Sequence, residues 1–264
     1  MIERRPKLLS YMTALSVNVN KIALLRNSRD GKGPDVVRLS RLALEAGAHG
    51  ITIHPRPDER HIRYADADHL SALMREWPSR EFNVEGNPFE GRWLDLVKRI
   101  KPHQATLVPD DPNQSTSDHG FSMPADIERL KPIIADLKKA GCRVSVFMDP
   151  DAEAVGQVAQ TGADRVELYT ESYAVAHAQR ETAQAEFERV LQQFKHAAIS
   201  ARDAGLGVNA GHDLNLNNLS DFAAAVSPLD EVSIGHALIG DAIEFGLAET
   251  VARYLGCLRH EARP

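Results

Sequence analysis

Residues 140–170 read AGCRVSVFMDPDAEAVGQVAQTGADRVELYT, and the punctuation of this stretch decides the fold. Two short runs, Arg143–Asp149 (RVSVFMD) and Arg165–Thr170 (RVELYT), carry the β-branched and aromatic residues that suit a pleated, buried strand. Between them lies a stretch of helical length that stops at Gly162, where a glycine can take the left-handed turn that ends a helix. Strand, helix, stop and strand in about 30 residues is a βαβ unit, the building block of a parallel sheet.

The same device recurs along the chain. AGAHG, AGCR, TGADR and AGLG place Gly47, Gly141, Gly162 and Gly205 at helix ends, each just ahead of a strand. Six further strand candidates are Leu15–Asn20 (LSVNVN), Gly50–His54 (GITIH), Glu81–Glu85 (EFNVE), Gln104–Pro109 (QATLVP), Gly207–Gly211 (GVNAG) and Glu231–His236 (EVSIGH). Amphipathic helical spacing separates them, clearest in Val36–Ala46 and Ala125–Ala140. Eight strands in 264 residues give about 33 residues per unit, the size of one βα repeat. The expected fold is therefore α/β, a (β/α)8 TIM barrel with extra helices filling residues 1–264 as one domain. An open doubly wound sheet is disfavoured by the strand number and by the lack of G-x-G-x-x-G after the first strand.

Composition narrows the function classes. The net charge of −6 argues against a nucleic-acid binder, which needs a basic face, yet a local field can still attract an anionic substrate. The basic N-terminus, MIERRPKLLSYMTALSV, is broken by Ser10 and Thr13, and no uncharged run approaches the roughly 20 residues of a membrane span. Cys142 and Cys257 are too few for a disulfide framework, so a cytoplasmic location is expected.

Function is written at the strand ends. In a parallel barrel the C-terminal ends of all strands meet at one mouth. There the sequence places Asn18 and Asn20, then His54 with Arg56 and His61, then Glu85, Glu167, His212 with Asp213, and Gly235–His236. Of the arginines in these segments, Arg29 and Arg56 are expected to touch substrate, and Arg26 and Arg60 to be ordinary surface residues. Two long segments, Arg29–Asp35 after strand one and Asp110–Pro124 after strand four, are candidate lids; Glu171–Gln184 is long but partly helical. Histidines and buried glutamates exchange protons near neutral pH, and arginines with free backbone N–H groups suit phosphate. Chemistry alone points to a lyase, isomerase or condensing enzyme acting on phosphorylated small molecules. A metal site built from His54, His61, Glu85, His212 and His236 is the rival; no H-x-H, H-E-x-x-H or paired-Cys pattern supports it, and nearby arginines oppose a cation.

The motifs SVNVNKIALLRNSR, GITIHPRPDERHI, FNVEG, KPHQATLVP, VELYTESYA, VNAGHDL and VSIGHALIG, in this order, resemble the pyridoxine 5′-phosphate synthase family of the deoxyxylulose 5-phosphate-dependent vitamin B6 pathway. The resemblance covers nearly the whole chain. It implies a (β/α)8 barrel, commonly an octamer, that needs no cofactor or metal and condenses 3-amino-2-oxopropyl phosphate with 1-deoxy-D-xylulose 5-phosphate. The products are pyridoxine 5′-phosphate, phosphate and water. By motif match, His54 and Glu85 resemble the proton acceptors, His212 the donor, and Glu167 the carboxylate that steadies a cationic intermediate. The aminoketone phosphate would meet Asn18, Asp213, Gly235 and His236, and the ketose phosphate Asn20, Lys21, Arg29, Arg56, His61 and Thr116.

Three positions depart from the family pattern. Asn20–Lys21 stands where Asp-His is usual, replacing a carboxylate and an imidazole by an amide and a fixed cation. Asp213 stands where glycine is usual, and its carboxylate would repel a phosphate if it pointed inward. These departures leave two alternatives: a related barrel enzyme using another ketose phosphate, and a binding protein for phosphorylated metabolites that has lost the chemistry.

Overall fold

The structure, a computed structural model, describes residues 12–111, 114 and 116–259, so most of the basic N-terminal run lies outside the described residues. The eight expected strands all form. They are β1 (Ala14–Asn18), β2 (Gly50–Ile53), β3 (Glu81–Gly86), β4 (Gln104–Leu107), β5 (Arg143–Met148), β6 (Arg165–Tyr169), β7 (Gly207–Gly211) and β8 (Glu231–Ile234). All pair in parallel and in chain order, and β8 returns to β1 to close the barrel, with Leu15 opposite Val232.

Eleven α-helices and a 3-10 turn, Val158–Thr161, accompany the strands among the described residues: α1 (Asn20–Asn27), α2 (Val36–Glu45), α3 (Tyr64–Arg75), α4 (Trp93–Ile100), α5 (Ile127–Lys139), α6 (Ala152–Gln157), α7 (Glu171–Ala178), α8 (Gln184–Asp203), α9 (Leu219–Ala225), α10 (His236–Phe245) and α11 (Leu247–Cys257). Gly47, Gly141, Gly162 and Gly205 all have positive φ, as their reading as helix stops requires. No helix of the described residues is long and apolar enough to cross a membrane.

Strand alternation separates two environments. Val17, Ile51, Val84, Val146, Val166 and Val232 are fully buried in the main apolar core. The alternate residues carry polar groups that bond across the barrel's interior. Ser16 meets Thr52 at 2.7 Å, Thr106 donates to Asn83 at 3.0 Å, and Asn209 of β7 reaches Gln104 of β4 at 3.3 Å. Since β4 and β7 are not neighbours, the last bond crosses the lumen itself. A barrel interior is more often filled by branched apolar side chains; here polar residues fill it, and the carboxylates of the mouth form its top.

Several strands end one or two residues before the sequence suggests, for a local reason. Asn18 Oδ1 accepts the Asn20 N–H at 3.1 Å, turning the chain into α1 two residues early. Consequently α1 lies between β1 and the segment Arg29–Asp35, which therefore does not follow strand one directly. Similarly, β8 stops at Ile234 and His236 opens α10.

Arg26 corrects a surface expectation. It is buried, and its guanidinium grips Asp66 through two bonds, Nη1 to Oδ1 at 2.5 Å and Nη2 to Oδ2 at 2.9 Å. Nη2 also donates to the His61 carbonyl, as does Asn27 Nδ2 at 2.8 Å, so the end of α1 clamps the loop that presents His61. Removing one partner of a buried pair leaves an uncompensated charge, so Arg26→Ala should cost roughly 3–5 kcal/mol in urea unfolding. A loss below about 1 kcal/mol would show that the pair is solvated and weak.

Candidate active site

At the C-terminal end of the barrel lies a cavity of about 400 Å³, lined from several strands. Of the expected residues, Asn18, Asn20, Lys21, His54, Arg56, His61, Glu85, Thr116, Glu167, His212, Asp213, Gly235 and His236 line it. Arg29 does not; it is exposed on the segment after α1. Asp110 and Ser117, both buried, and Ser233 were not picked out by sequence reasoning, although Ser117 and Ser233 line the cavity and Asp110 bonds two of its residues. Asp110 carries the same signal as Glu85, a carboxylate just past an apolar run, and could have been found by it. Val108, Phe147 and Leu214 add an apolar wall.

Glu85 sits at the centre. Its Oε2 accepts from Asn18 Nδ2 and its Oε1 from Ser233 Oγ, both at 3.4 Å, while the Trp93 indole fixes its backbone carbonyl at 2.7 Å. Burial, reinforced by the charges of Glu167 and Asp110, raises its carboxyl well above the usual range. His54 lies beside it, with Nδ1 3.7 Å from Glu85 Oε2 and Nε2 3.1 Å from Asp110 Oδ2. The His54 backbone N–H is taken by Asn20 Oδ1 at 2.9 Å, so the first departure from the family pattern does structural work in this chain.

Burial likewise lifts Glu167 to about 7, with the nearby His212 pulling the other way. Its Oε2 is buried without a hydrogen-bond partner among the described residues, and a Cβ on Gly211 would run into its other oxygen. Such a carboxyl is ready to meet a cation. The raised value also has a sign in stability: the folded state keeps a proton that the unfolded chain releases near 4.5, so stability falls as pH climbs from there to about 7. Glu167→Gln removes that loss. Between pH 5 and pH 8 the variant's stability difference should be smaller than that of the parent by up to about 3 kcal/mol, at about 1.4 kcal/mol per unit. An unchanged difference would mean that Glu167 is ionised throughout that range.

His212 is held from two sides, by Thr116 Oγ1 at 2.9 Å from Nε2 and by Asp213 Oδ2 at 3.0 Å from Nδ1. Its φ of 81° and that of Asp213, 53°, are both left-handed. Thr170 steadies this strained backbone by donating to the Gly211 and His212 carbonyls. The bond to His212 also holds the Asp213 carboxyl below its ordinary range, so its negative charge is engaged by an imidazole.

Two regions suit anions. The first turn of α10 opens onto the cavity at Gly235, His236 and Ala237 with no side-chain cap, leaving backbone N–H groups free. A Cβ on Gly235 would stand 3.0 Å from Asn18 Cβ and 3.1 Å from its carbonyl oxygen, so a larger residue there would have to push Asn18 aside. Across the mouth lie Lys21, Arg56, His61 and Thr116. Burial and the surrounding cations push His61 down to about 3, so its ring is neutral at physiological pH. Its Nδ1 accepts from Ile62 N–H at 2.9 Å, which leaves an Nε2–H donor. Among the described residues, no three His, Cys, Asp or Glu side chains converge as a metal site would require.

The family model described as "Pyridoxal phosphate biosynthesis protein PdxJ" matches residues 15–260. The chain is 53% identical over 251 residues to the pyridoxine 5′-phosphate synthase of Albidiferax ferrireducens, covering 93% of this chain and 97% of that one. It is 52% identical over 242 residues to the enzyme of the same name from Mesorhizobium japonicum, covering 91% and 96%. Among solved structures, 3-hexulose-6-phosphate synthase superposes with a TM-score of 0.60 at 11% identity, over 94% of this chain and all of that one. Tryptophan synthase from M. tuberculosis gives 0.63 at 12%, over 95% and 94%. At such identities these two structures speak for the barrel fold alone.

Proposed function

The chain belongs to the PdxJ family of pyridoxal phosphate biosynthesis proteins and is an enzyme of vitamin B6 synthesis; from that premise we propose that it condenses 3-amino-2-oxopropyl phosphate with 1-deoxy-D-xylulose 5-phosphate to pyridoxine 5′-phosphate, phosphate and water. The observation that carries this reading is the convergence of His54, Glu85, Glu167 and His212 on one cavity that has an anion-binding region on either side.

The amine of one substrate attacks the ketone of the other, and loss of water gives an imine. Phosphate then leaves the ketose portion, whose end carbon takes up water to become the hydroxymethyl group; ring closure and aromatisation follow, with the aminoketone phosphate kept as the 5′-phosphate of the product. Each stage moves protons, which matches acids and bases tuned toward neutrality. In this scheme Glu85 and His54 accept protons, His212 returns them to departing oxygen, and Glu167 balances the cationic nitrogen. The aminoketone phosphate lies against Asn18, the Asp213 backbone, Gly235 and His236. The ketose phosphate lies against Arg56, His61 and Thr116, with Asn20 and Lys21 beside its sugar. Arg29 joins them when its segment folds over the mouth. Enclosure by the loop carrying Thr116 protects the imine from water.

The reaction is of transferase type and runs without a resident metal or cofactor, a reading supported by the side-chain geometry and by the cations around the cavity. The same proposal places the enzyme in the cytoplasm and assembles it as a homo-octamer. Exposed Leu25 on α1 and Ile243 on α10, the latter 82% exposed, supply apolar surface for self-association. Expression in a bacterium deleted for its own pyridoxine 5′-phosphate synthase provides the test. Growth without added vitamin B6 is expected; failure to grow with soluble protein present would contradict the proposal.

A further inference from the structure

We propose that Asp110 is a positioning residue for His54: its carboxylate holds the imidazole hydrogen on Nε2 and so turns the Nδ1 lone pair toward Glu85 and the cavity. The inference rests on the proposed reaction for the part His54 plays in it.

The geometry restricts what Asp110 can do. Its Oδ2 accepts from Arg56 Nη2 at 2.8 Å and lies 3.1 Å from His54 Nε2. Its backbone carbonyl accepts from Asn87 Nδ2 at 2.8 Å, so the segments that follow β2 and β3 both hold it in place. Arg56 is a donor only and stays charged, so the shared oxygen must be an acceptor. Burial works against ionisation of Asp110, but the bond to His54 and the charge of Arg56 hold the carboxyl below its ordinary range. An acceptor facing Nε2 requires a hydrogen on that nitrogen. In the neutral ring the lone pair is then on Nδ1, which faces Glu85 Oε2.

That arrangement gives Glu85 a place to put its proton. Glu85 holds one because it is buried beside Glu167 and Asp110. Its O–H bond breaks as Nδ1–H forms on His54, leaving a carboxylate that can take a proton from substrate. The imidazolium so formed lies between the Asp110 and Glu85 carboxylates. The 3.7 Å separation closes to hydrogen-bond length for this step, as catalytic contacts commonly tighten around substrate. The other groups facing His54 are the cationic Arg56 and the neutral His61 ring, 6.3 Å away centre to centre. Neither can replace Asp110 as an acceptor at Nε2, because Arg56 has no lone pair to offer and His61 Nδ1 is already occupied.

Two measurements test the proposal. In the intact protein labelled with 15N-histidine, with His54 assigned by comparison with His54→Gln, the neutral ring should carry its hydrogen on Nε2. A hydrogen on Nδ1 would overturn the idea, and this result does not depend on which substrates the enzyme uses. In Asp110→Asn, which keeps the shape and removes the charge, kcat should fall by about 10-fold or more. The KM for the ketose phosphate should not rise, because Arg56 is released from its carboxylate. A kcat within about 3-fold of the parent, or a loss wholly in KM, would make Asp110 a mere anchor of its loop. If the parent protein makes no pyridoxine 5′-phosphate, the proposed reaction fails while the tautomer still decides the role of Asp110.

Discussion

Replacing His212 by alanine should lower kcat by about 10²–10⁴-fold and leave the protein folded, the usual span for losing a positioned proton donor. The side chain is 27% exposed and contacts the rest of the molecule mainly through Thr116, Asp213 and the Tyr169 ring, so little core packing is lost. Alanine is the informative substitution because it keeps the left-handed strain at this position, which glycine would relieve. The variant also frees the Asp213 carboxylate beside the Gly235–His236 anion region, and a rise in KM for the aminoketone phosphate should accompany the loss in kcat. Steady-state kinetics with a circular dichroism melt separate these effects. Turnover within about 3-fold of the parent would remove His212 from the proton-donor role.

Glu85→Gln should be as severe in rate and opposite in stability. Glutamine has nearly the shape of the protonated carboxyl and can keep its neighbours Asn18 and Ser233 in place, but it exchanges no proton. A kcat loss of about 10²–10⁴-fold is expected. Because the folded state holds the Glu85 proton more tightly than the unfolded chain does, Glu85 costs stability as pH rises above its ordinary range. The glutamine variant should therefore melt higher than the parent at pH 8 and differ least near pH 4. A lower melting temperature at pH 8 would mean that the ionised carboxylate has partners that stabilise it.

The parallel barrel was legible because its signals are local. RVSVFMD and RVELYT identify themselves within a few residues, and each helix-stopping glycine acts on its own turn. The mouth was legible for a related reason: in a barrel, distance along the chain does not separate strand ends, so His54, Glu85, Glu167 and His212 could be placed together before any coordinates. Side-chain partners were less accessible. Arg26 and Arg29 are alike in sequence, yet one is buried on Asp66 and the other exposed, and only the approach of α3 to α1 decides which. The bond from Thr116 to His212 spans 96 positions in a loop without periodicity, so no local pattern announces it. Asn20 reads as a substrate-binding substitution and lines the cavity; its oxygen also fixes the His54 backbone, a role visible only once β1 and β2 lie side by side. Asp110 had the right signal but belonged to a segment read as a lid.

The polar lumen links fold to chemistry. Ser16, Thr52, Asn83 and Thr106 bond to one another beneath Glu85. They satisfy themselves, so the carboxylates above them remain governed by burial and by one another. That is the physical basis for two glutamates whose proton affinity is shifted toward neutrality.

The central claim is tested most directly by incubating the purified protein with 3-amino-2-oxopropyl phosphate, 1-deoxy-D-xylulose 5-phosphate and a chelator, and following products by chromatography and phosphate release. The account predicts pyridoxine 5′-phosphate and inorganic phosphate in equal amounts, formed at a rate the chelator does not change. Folded protein that releases no phosphate and forms no pyridoxine 5′-phosphate would contradict it.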